Sequence, residues 1–583
     1  MPDQFGHIGQ MPQLLRMGGI ERAVVWRGVP ASIERDAFRW EAPDGSHVLT
    51  EYMAFGYFAG AAFAEATDAA ELGEAIRRAV DRQRPFMASD RMLVMVGSDH
   101  AGPDAALPGR LREAATALDD VRPSIGSLAG HLAAERINVS LPTWSGELRS
   151  SARAHLLPNV TSARVHQKRE RGRVEALIER YAEPLAALVP GFAWPAEDLD
   201  RAWTLLLWNG AHDSACGCSH DQVALDVDER FAEARAIGEG IVGRALDALG
   251  RAVSEAGPLR FDPSPFARDG VPGLGWVVGP ARTAAKLPVD VREGQDGAIT
   301  ADGMELVLLD EPDVGDLYNF CYQTPGQIPW GPAEVHVDGQ DVRAWFDDRL
   351  EVRLRFARRA DEPFLRVEGV IENGRPDHRL RLHVTLARPA DAALAGAPFE
   401  LVERPIASEG GELETPSAAW PARGAVMSGG VAILHEGVFE YEVVDGRALA
   451  VTLLRCVGTI SRKVLATRPF EAGPDVPTPL AQMLGRTDLT LGVWPDATRD
   501  GLLVNAERFA LPLASAEASG GGSLPSSGSL LEIVGDARLS NVRRKDGRVE
   551  VRLWNERKDA TVRATVGGAP VDLGPAKIVT VRI

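Results

Sequence analysis

Over the first 140 residues, short apolar runs alternate with stretches of helical spacing. Ala23-Val24-Val25-Trp26 and Met92-Leu93-Val94-Met95-Val96 are each bounded by glycine and polar residues, and they predict buried strands. Glu74 to Arg84 and Pro108 to Leu118 predict helices. Strands that alternate with helices predict a parallel sheet. Only a few such units are present, so the sheet is expected to be partial.

From residue 141 to about 255 the pattern turns helical. Val174, Leu177, Ile178, Tyr181, Leu185 and Leu188 repeat at three and four and form one apolar stripe. Val223, Val227, Phe231, Ala234 and Ile241 form a second, with Ser219 and Gln222 spaced as a capping box at its start. Gly238 and Gly240 should weaken that helix by about 1 kcal/mol each relative to alanine. Facing stripes predict a helical bundle.

Beyond Gly257 the period shortens to two. Pro258, Pro263 and Pro265 break the helices, and Leu380, Leu382, Val384 and Leu386 then alternate with Arg381, His383 and Thr385. Val549, Val551 and Leu553 repeat the pattern near the end. This predicts antiparallel sheets with one buried face. Ser515 to Ser529 has the composition of a flexible linker. Four parts are expected: a partial parallel α/β domain over 1–140, a helical middle domain over 141–255, a β-sandwich over 256–515 and a small β-module over 525–583.

Charge and composition narrow the function classes. The 583 residues are 45% hydrophobic and 25% charged, with a net charge of −18. Such a surface disfavours wrapping nucleic-acid phosphates. No apolar run reaches the ~18 residues that cross a bilayer. The first residues show no basic start or apolar stretch of a signal peptide. The four cysteines, Cys216, Cys218, Cys321 and Cys456, are too few for a disulfide framework and point to a reducing cytoplasm. A small neutral molecule such as a sugar suits this chain as a partner, and a homo-oligomer is compatible with it.

Two segments concentrate the residue types that do chemistry. The chain opens Pro2-Asp3-Gln4-Phe5-Gly6-His7, continues to Gln10-Met11-Pro12, and then reads Trp26-Arg27-Gly28-Val29. Residues 211–223 read Ala-His-Asp-Ser-Ala-Cys-Gly-Cys-Ser-His-Asp-Gln-Val. A carboxylate such as Asp3 can attack an anomeric carbon. A neutral imidazole such as His212 is a good zinc ligand, and an adjacent acid such as Asp213 can orient it or touch substrate. On position alone Asp3 reads more readily as a terminal residue without a role, and a His-Asp pair is more often structural. Cys216 and Cys218 read as small buried residues at a helix start, with thiolate ligation as the alternative. His336-Val337-Asp338 beside Gly339 reads as strand and turn.

Together these segments resemble the family 38 glycoside hydrolases, zinc-dependent retaining α-mannosidases. Pro142-Thr143-Trp144-Ser145-Gly146-Glu147-Leu148, Val96-Gly97-Ser98-Asp99-His100 and Asp313-Val314-Gly315-Asp316-Leu317-Tyr318-Asn319-Phe320 extend the resemblance. It implies a seven-stranded-barrel-like α/β domain, Asp3 as nucleophile and zinc ligand, and His212 as a second zinc ligand converging on it. Glu147 would be the general acid/base, and Arg27, Asp99, Asp213 and Tyr318 would bind substrate. The alternatives are a surface glutamate for Glu147, a surface arginine for Arg27 and a packed turn tyrosine for Tyr318. The family's early His-x-His-x-Asp ligands have no counterpart here. Two ligands fall short of the three expected in a catalytic zinc site. The expectation is therefore an α-mannosidase whose chain as written is nearly inactive, with a truncated, catalytically dead member and a mannosylglycerate-type hydrolase as the alternatives.

Overall fold

A computed structural model describes residues 2–133, 140–280, 284–324 and 326–583. They divide into two compact units: Met1–Leu156 with Ser408–Ser417, and Leu157–Ala407 with Ala418–Ile583.

The first unit is built on a four-stranded sheet. Arg22–Val25 runs parallel to His47–Tyr52, and Ala37–Glu41 runs parallel to Thr143–Ser145. Ala37–Glu41 and His47–Tyr52 are antiparallel, so the expected parallel sheet is mixed. A tight turn joins these two strands. Phe38 and Trp40 alternate with Arg39, and Asp44-Gly45 makes the turn, with Gly45 at φ +82°. Val25, Phe38, Trp40, Val48 and Leu148 fill the core beneath the sheet. The expected helices are Ala69–Gln83, capped by the Asp68 carboxylate, and Leu107–Ala115. They pack through Leu72, Ile76, Ala114 and Leu118.

Met92–Val96 is not a strand. Its residues are extended without a ladder, and Val96 is 46% exposed. The Met95 carbonyl accepts the Gly60 amide at 2.8 Å, which docks the run against the 57–60 loop. An apolar run without a strand neighbour cannot satisfy its backbone as a ladder and stays irregular.

The second unit opens with the expected helices. Val165–Ala176 passes through a π-helical turn, Leu177–Ala182, into Glu183–Leu188. Ala196–Trp208 and the long Asp221–Ala252 pack on it through Val174, Ile178, Leu199, Leu205, Val227 and Phe231. Two details differ from expectation. The cap of the long helix is His220, whose Nδ1 accepts the Gln222 amide at 3.2 Å, and not Ser219. Val223 lies off the stripe and is exposed. Gly238 is where the helices close: a Cβ there would stand 2.8 Å from Ile178 and 2.9 Å from Leu177. The propensity it loses is offset by that close packing.

The strands are antiparallel throughout the main 15-stranded sheet. Leu380, Leu382 and Val384 point into its core as expected. The other face of His378–Thr385 is not solvated. Arg379, Arg381 and His383 are buried as well. Arg379 and Arg381 both donate to Glu311, Arg379 reaches Glu440, and Arg381 reaches Glu442. Alternating polarity here separates an apolar layer from a buried ionic layer, not core from water.

The glycine-serine stretch is no flexible linker. Ala514–Ser519 pairs with Ala256–Asp262, and Ser527–Ser529 pairs with Gly275–Val278. Gly520 and Gly521 turn the chain with positive φ, and Gly528 lies flat on Trp276, where a Cβ would come within 2.7 Å of the ring. Small residues were required by close approach, which composition alone reads as flexibility. The terminal module follows as two three-stranded sheets around Leu539, Val551, Leu553 and Leu573.

Three buried histidines give the fold an acid-sensitive stability. Burial lowers His7, His383 and His435 to about 3. Each leaves at least one ring nitrogen without a hydrogen-bond partner, which suits a neutral imidazole. A folded pKa below the unfolded value means that the unfolded chain takes up the proton first. The stability is complete above about pH 6.5 and is lost as pH falls from there toward 3. We expect about 2 kcal/mol lost per histidine by pH 5. Urea midpoints between pH 7.5 and 5 measure it; a flat profile would refute it.

Candidate functional site

In the first unit, three segments meet. His7 and Leu148 exchange backbone hydrogen bonds of 3.0 Å, and the Ser150 amide donates to the Gly28 carbonyl at 3.0 Å. Gly28 has φ +86°, and a Cβ there would meet the Leu148 carbonyl at 2.2 Å, so only glycine lets the chains approach. This brings Asp3 beside Arg27.

The Arg27 guanidinium is buried against Trp26, with its centre 4.1 Å from the ring centroid. Its Nε and Nη2 donate to Asp3 Oδ1 at 2.9 and 2.7 Å, and Nη1 donates to the His155 carbonyl at 2.7 Å. Both donors grip the same oxygen, which fixes its position beside Arg27. Tyr57 completes the cluster. Its hydroxyl lies 3.4 Å from Asp3 Oδ2 and donates to the Asp99 carboxylate at 3.0 to 3.1 Å. Burial, then the charges of Asp3 and Asp99, push its phenol well above the ordinary range. Tyr57 stays a neutral donor.

Asp3, Arg27 and Asp99 are thus joined, and the residue that joins them was not anticipated. A signal existed. Arg22–Val25 and His47–Tyr52 are parallel, so the loops after them emerge at one edge of the sheet. Arg27 lies in one loop and Tyr57 in the other. Glu147 follows the Thr143–Ser145 strand and adjoins the His7–Leu148 bridge, and its carbonyl accepts from the Trp144 indole at 3.0 Å.

In the second unit a separate cluster forms around the cysteines. His212–Cys216 is a short helix, and His212 Nε2 lies 3.6 Å from Asp213 Oδ2. Cys218 Sγ is 3.2 Å from Asp213 Oδ1. Tyr318 is buried, and its hydroxyl bonds to Cys218. Burial, then Cys218 and Asp213, hold its phenol far above the ordinary range. Asp213 and Tyr318 therefore meet through Cys218. Cys218 is buried, as expected for a small packing residue. Lys168 lies beneath, donating to the Cys216 carbonyl at 2.6 Å, and burial pulls its ammonium down to about 8.

The Tyr318 loop is held rigidly. Asp316 Oδ1 accepts the Tyr318 and Asn319 amides at 3.0 Å. Asp316 Oδ2 accepts Arg468 Nη2 at 2.7 Å and the Arg462 amide at 2.8 Å. Asp313 Oδ1 accepts the Gly315 and Cys321 amides at 2.8 and 3.0 Å, while Oδ2 receives Arg455 Nε at 2.7 Å. Arg455 also donates to the carbonyls of Asn159, Asp316 and Asn319.

Zinc was the cofactor expected. Among the described residues, no group of three or more His, Cys, Asp or Glu side chains is arranged to hold a metal ion. The Asp3 carboxylate is already engaged by the Arg27 fork, and His212 faces Asp213. These residues do not amount to a zinc site by themselves. No described helix is long and apolar enough to cross a membrane.

Residues 1–147 match the family model "Glycosyl hydrolases family 38 N-terminal domain", and residues 157–249 match "Alpha mannosidase middle domain". A Halalkalibacterium halodurans protein, provisionally named mannosylglycerate hydrolase, is 31% identical over 40% of this chain and 28% of its own length. Mouse alpha-mannosidase 2C1 is 27% identical over 53% of this chain and 32% of its own. The chain thus spans under a third of the length of these two relatives. The crystal structure of an alpha-mannosidase from Enterococcus faecalis V583 superposes with a TM-score of 0.85 at 20% identity, covering 100% of this chain and 86% of that one. That likeness concerns the fold, whose mixed α/β, helical and antiparallel β regions appear in the same chain. Residues 1–147, which carry the first cluster, thus match the N-terminal domain of glycosyl hydrolase family 38, and residues 157–249, which carry His212 to Cys218 of the second, match the alpha-mannosidase middle domain.

Proposed function

We propose that this chain is an α-mannosidase that hydrolyses terminal α-mannosides with retention. The observation that supports this most is the Asp3–Arg27 fork inside the segment matched to the family's N-terminal domain. The fork holds one carboxylate oxygen and leaves the carboxylate oriented for attack on the anomeric carbon. In the proposed reaction an Asp3 oxygen bonds to that carbon as the glycosidic bond breaks. Glu147 gives its proton to the departing oxygen, then takes one from the water that hydrolyses the glycosyl ester. Tyr57 and Asp99 supply a donor and acceptors for sugar hydroxyls. Zinc remains the proposed cofactor, and no step here runs through it.

The test is hydrolysis of an aryl α-mannoside followed by proton NMR. The α-anomer should appear first. The β-anomer appearing first would overturn retention, and no turnover with added zinc would overturn the activity for this chain. Similarity to the Halalkalibacterium protein favours a second reading, a mannosylglycerate-type hydrolase. It predicts that mannosylglycerate is cleaved with higher kcat/KM than the aryl mannoside.

A further inference from the structure

A cavity of about 430 Å³ lies within the second unit. None of its lining residues belongs to either polar cluster. Its walls come from the π-helical turn Leu177–Ala182 and the helices Glu183–Leu188 and Ala196–Trp208 on one side. The strands Arg538–Lys545 and Arg548–Trp554 of the terminal module form the other. Trp194 bridges the two cores, packing against both.

The chemistry of the lining is specific. Glu179 and Glu183 are four residues apart and share a helical face. Glu183 is satisfied: the Trp203 indole donates to one oxygen at 2.9 Å, and Asn541 Nδ2 donates to the other. Glu179 accepts no hydrogen bond from a described residue. Burial pushes its carboxyl up to about 7 against the pull of Arg423, with a further push from Glu175 and Glu183. Asn541 Oδ1 is also buried without a partner. Glu179 is only half-buried, so its carboxyl is open to the cavity and takes hydrogen bonds from whatever fills it, which favours a ligand that donates. Arg543 and Arg552 bring guanidinium donors to the same space.

Asp200, Arg544 and Lys545 line the cavity too, so a simple anion would face three carboxyl groups and a simple cation four basic side chains. A neutral ring carrying several hydroxyls both donates and accepts, and it offers C–H faces to indoles, which are amphipathic. The volume lies within the range of small-molecule sites. We propose that this cavity binds a neutral pyranoside ring. Trp194 and Trp203 lie against its faces, and Glu179 accepts from its hydroxyls. It is a sugar-binding site distinct from the Asp3 cluster.

The experiment uses the full chain labelled with 5-fluorotryptophan. The fluorine signals of Trp194 and Trp203 are assigned by Trp→Phe replacement and then titrated with methyl α-D-mannopyranoside. Both signals should shift saturably, and Asp3→Asn should leave that titration unchanged, which separates this site from the proposed catalytic one. Glu179→Leu removes a half-buried carboxyl that accepts no hydrogen bond from a described residue, so folding should be kept, while Kd should rise at least tenfold. The proposal is overturned by an unsaturable or absent shift, by full affinity in Glu179→Leu, or by an equal response to acyclic sorbitol.

Discussion

Replacing Arg455 by Met should cost about 3–5 kcal/mol of folding stability. The Arg455 side chain is fully buried, as is that of its partner Asp313. Its guanidinium serves one carboxylate and three backbone carbonyls. Removing it leaves the Asp313 charge buried with only the Gly315 and Cys321 amides to hold it. Burial already pushes the Asp313 carboxyl up, and Arg455 is the chief opposing charge. The carbonyls of Asp316 and Asn319 lose a donor at the same time. Lysine should recover little, because an ammonium cannot fork to acceptors spread over one plane. Urea denaturation measures the loss. A midpoint within about 1 kcal/mol of the parent would show that water enters and replaces the guanidinium.

Asp3→Asn should lower kcat on aryl α-mannosides by a factor on the order of 10⁴, since a neutral amide is a poor nucleophile. The amide oxygen can still accept from Arg27, so the fold and the placement of the loop should hold. The melting midpoint is the control. If the Asp3→Asn variant turns over at near-parent rates without reverting to aspartate, attack comes from another group and Asp3 is only the anchor of Arg27.

The helices and the alternating strands were legible because one side of each must be dry. Val174, Ile178, Val227 and Phe231 show their period whatever they pack against. The Arg379–Arg381 face was misread because alternation reports a change of polarity, and a buried ionic layer alternates just as a wet one does. Ser515 to Ser529 was misread for a related reason. Small residues suit either freedom or close contact, and only the partner, here Ala256–Asp262 and Trp276, distinguishes them. Of the first cluster, Asp3, Arg27 and Asp99 were legible through their motifs. Tyr57 carries no motif, and its role follows from the parallel pairing of two short strands.

The ladder between Ala256–Asp262 and Ala514–Ser519 has a consequence for how the chain is made. On the ribosome, Ala256–Asp262 emerges long before the strand that completes its sheet. The long helix Asp221–Ala252 also packs on Ala514–Ser519 through Leu246 and Ala518. Its apolar stripe must therefore wait, uncovered at that end, while the whole antiparallel region is synthesised. Synthesis at ~5–20 residues per second makes that wait tens of seconds. A nascent chain stalled just before residue 514 should be a ready client for chaperones that hold exposed apolar helices, and release past residue 519 should end that dependence.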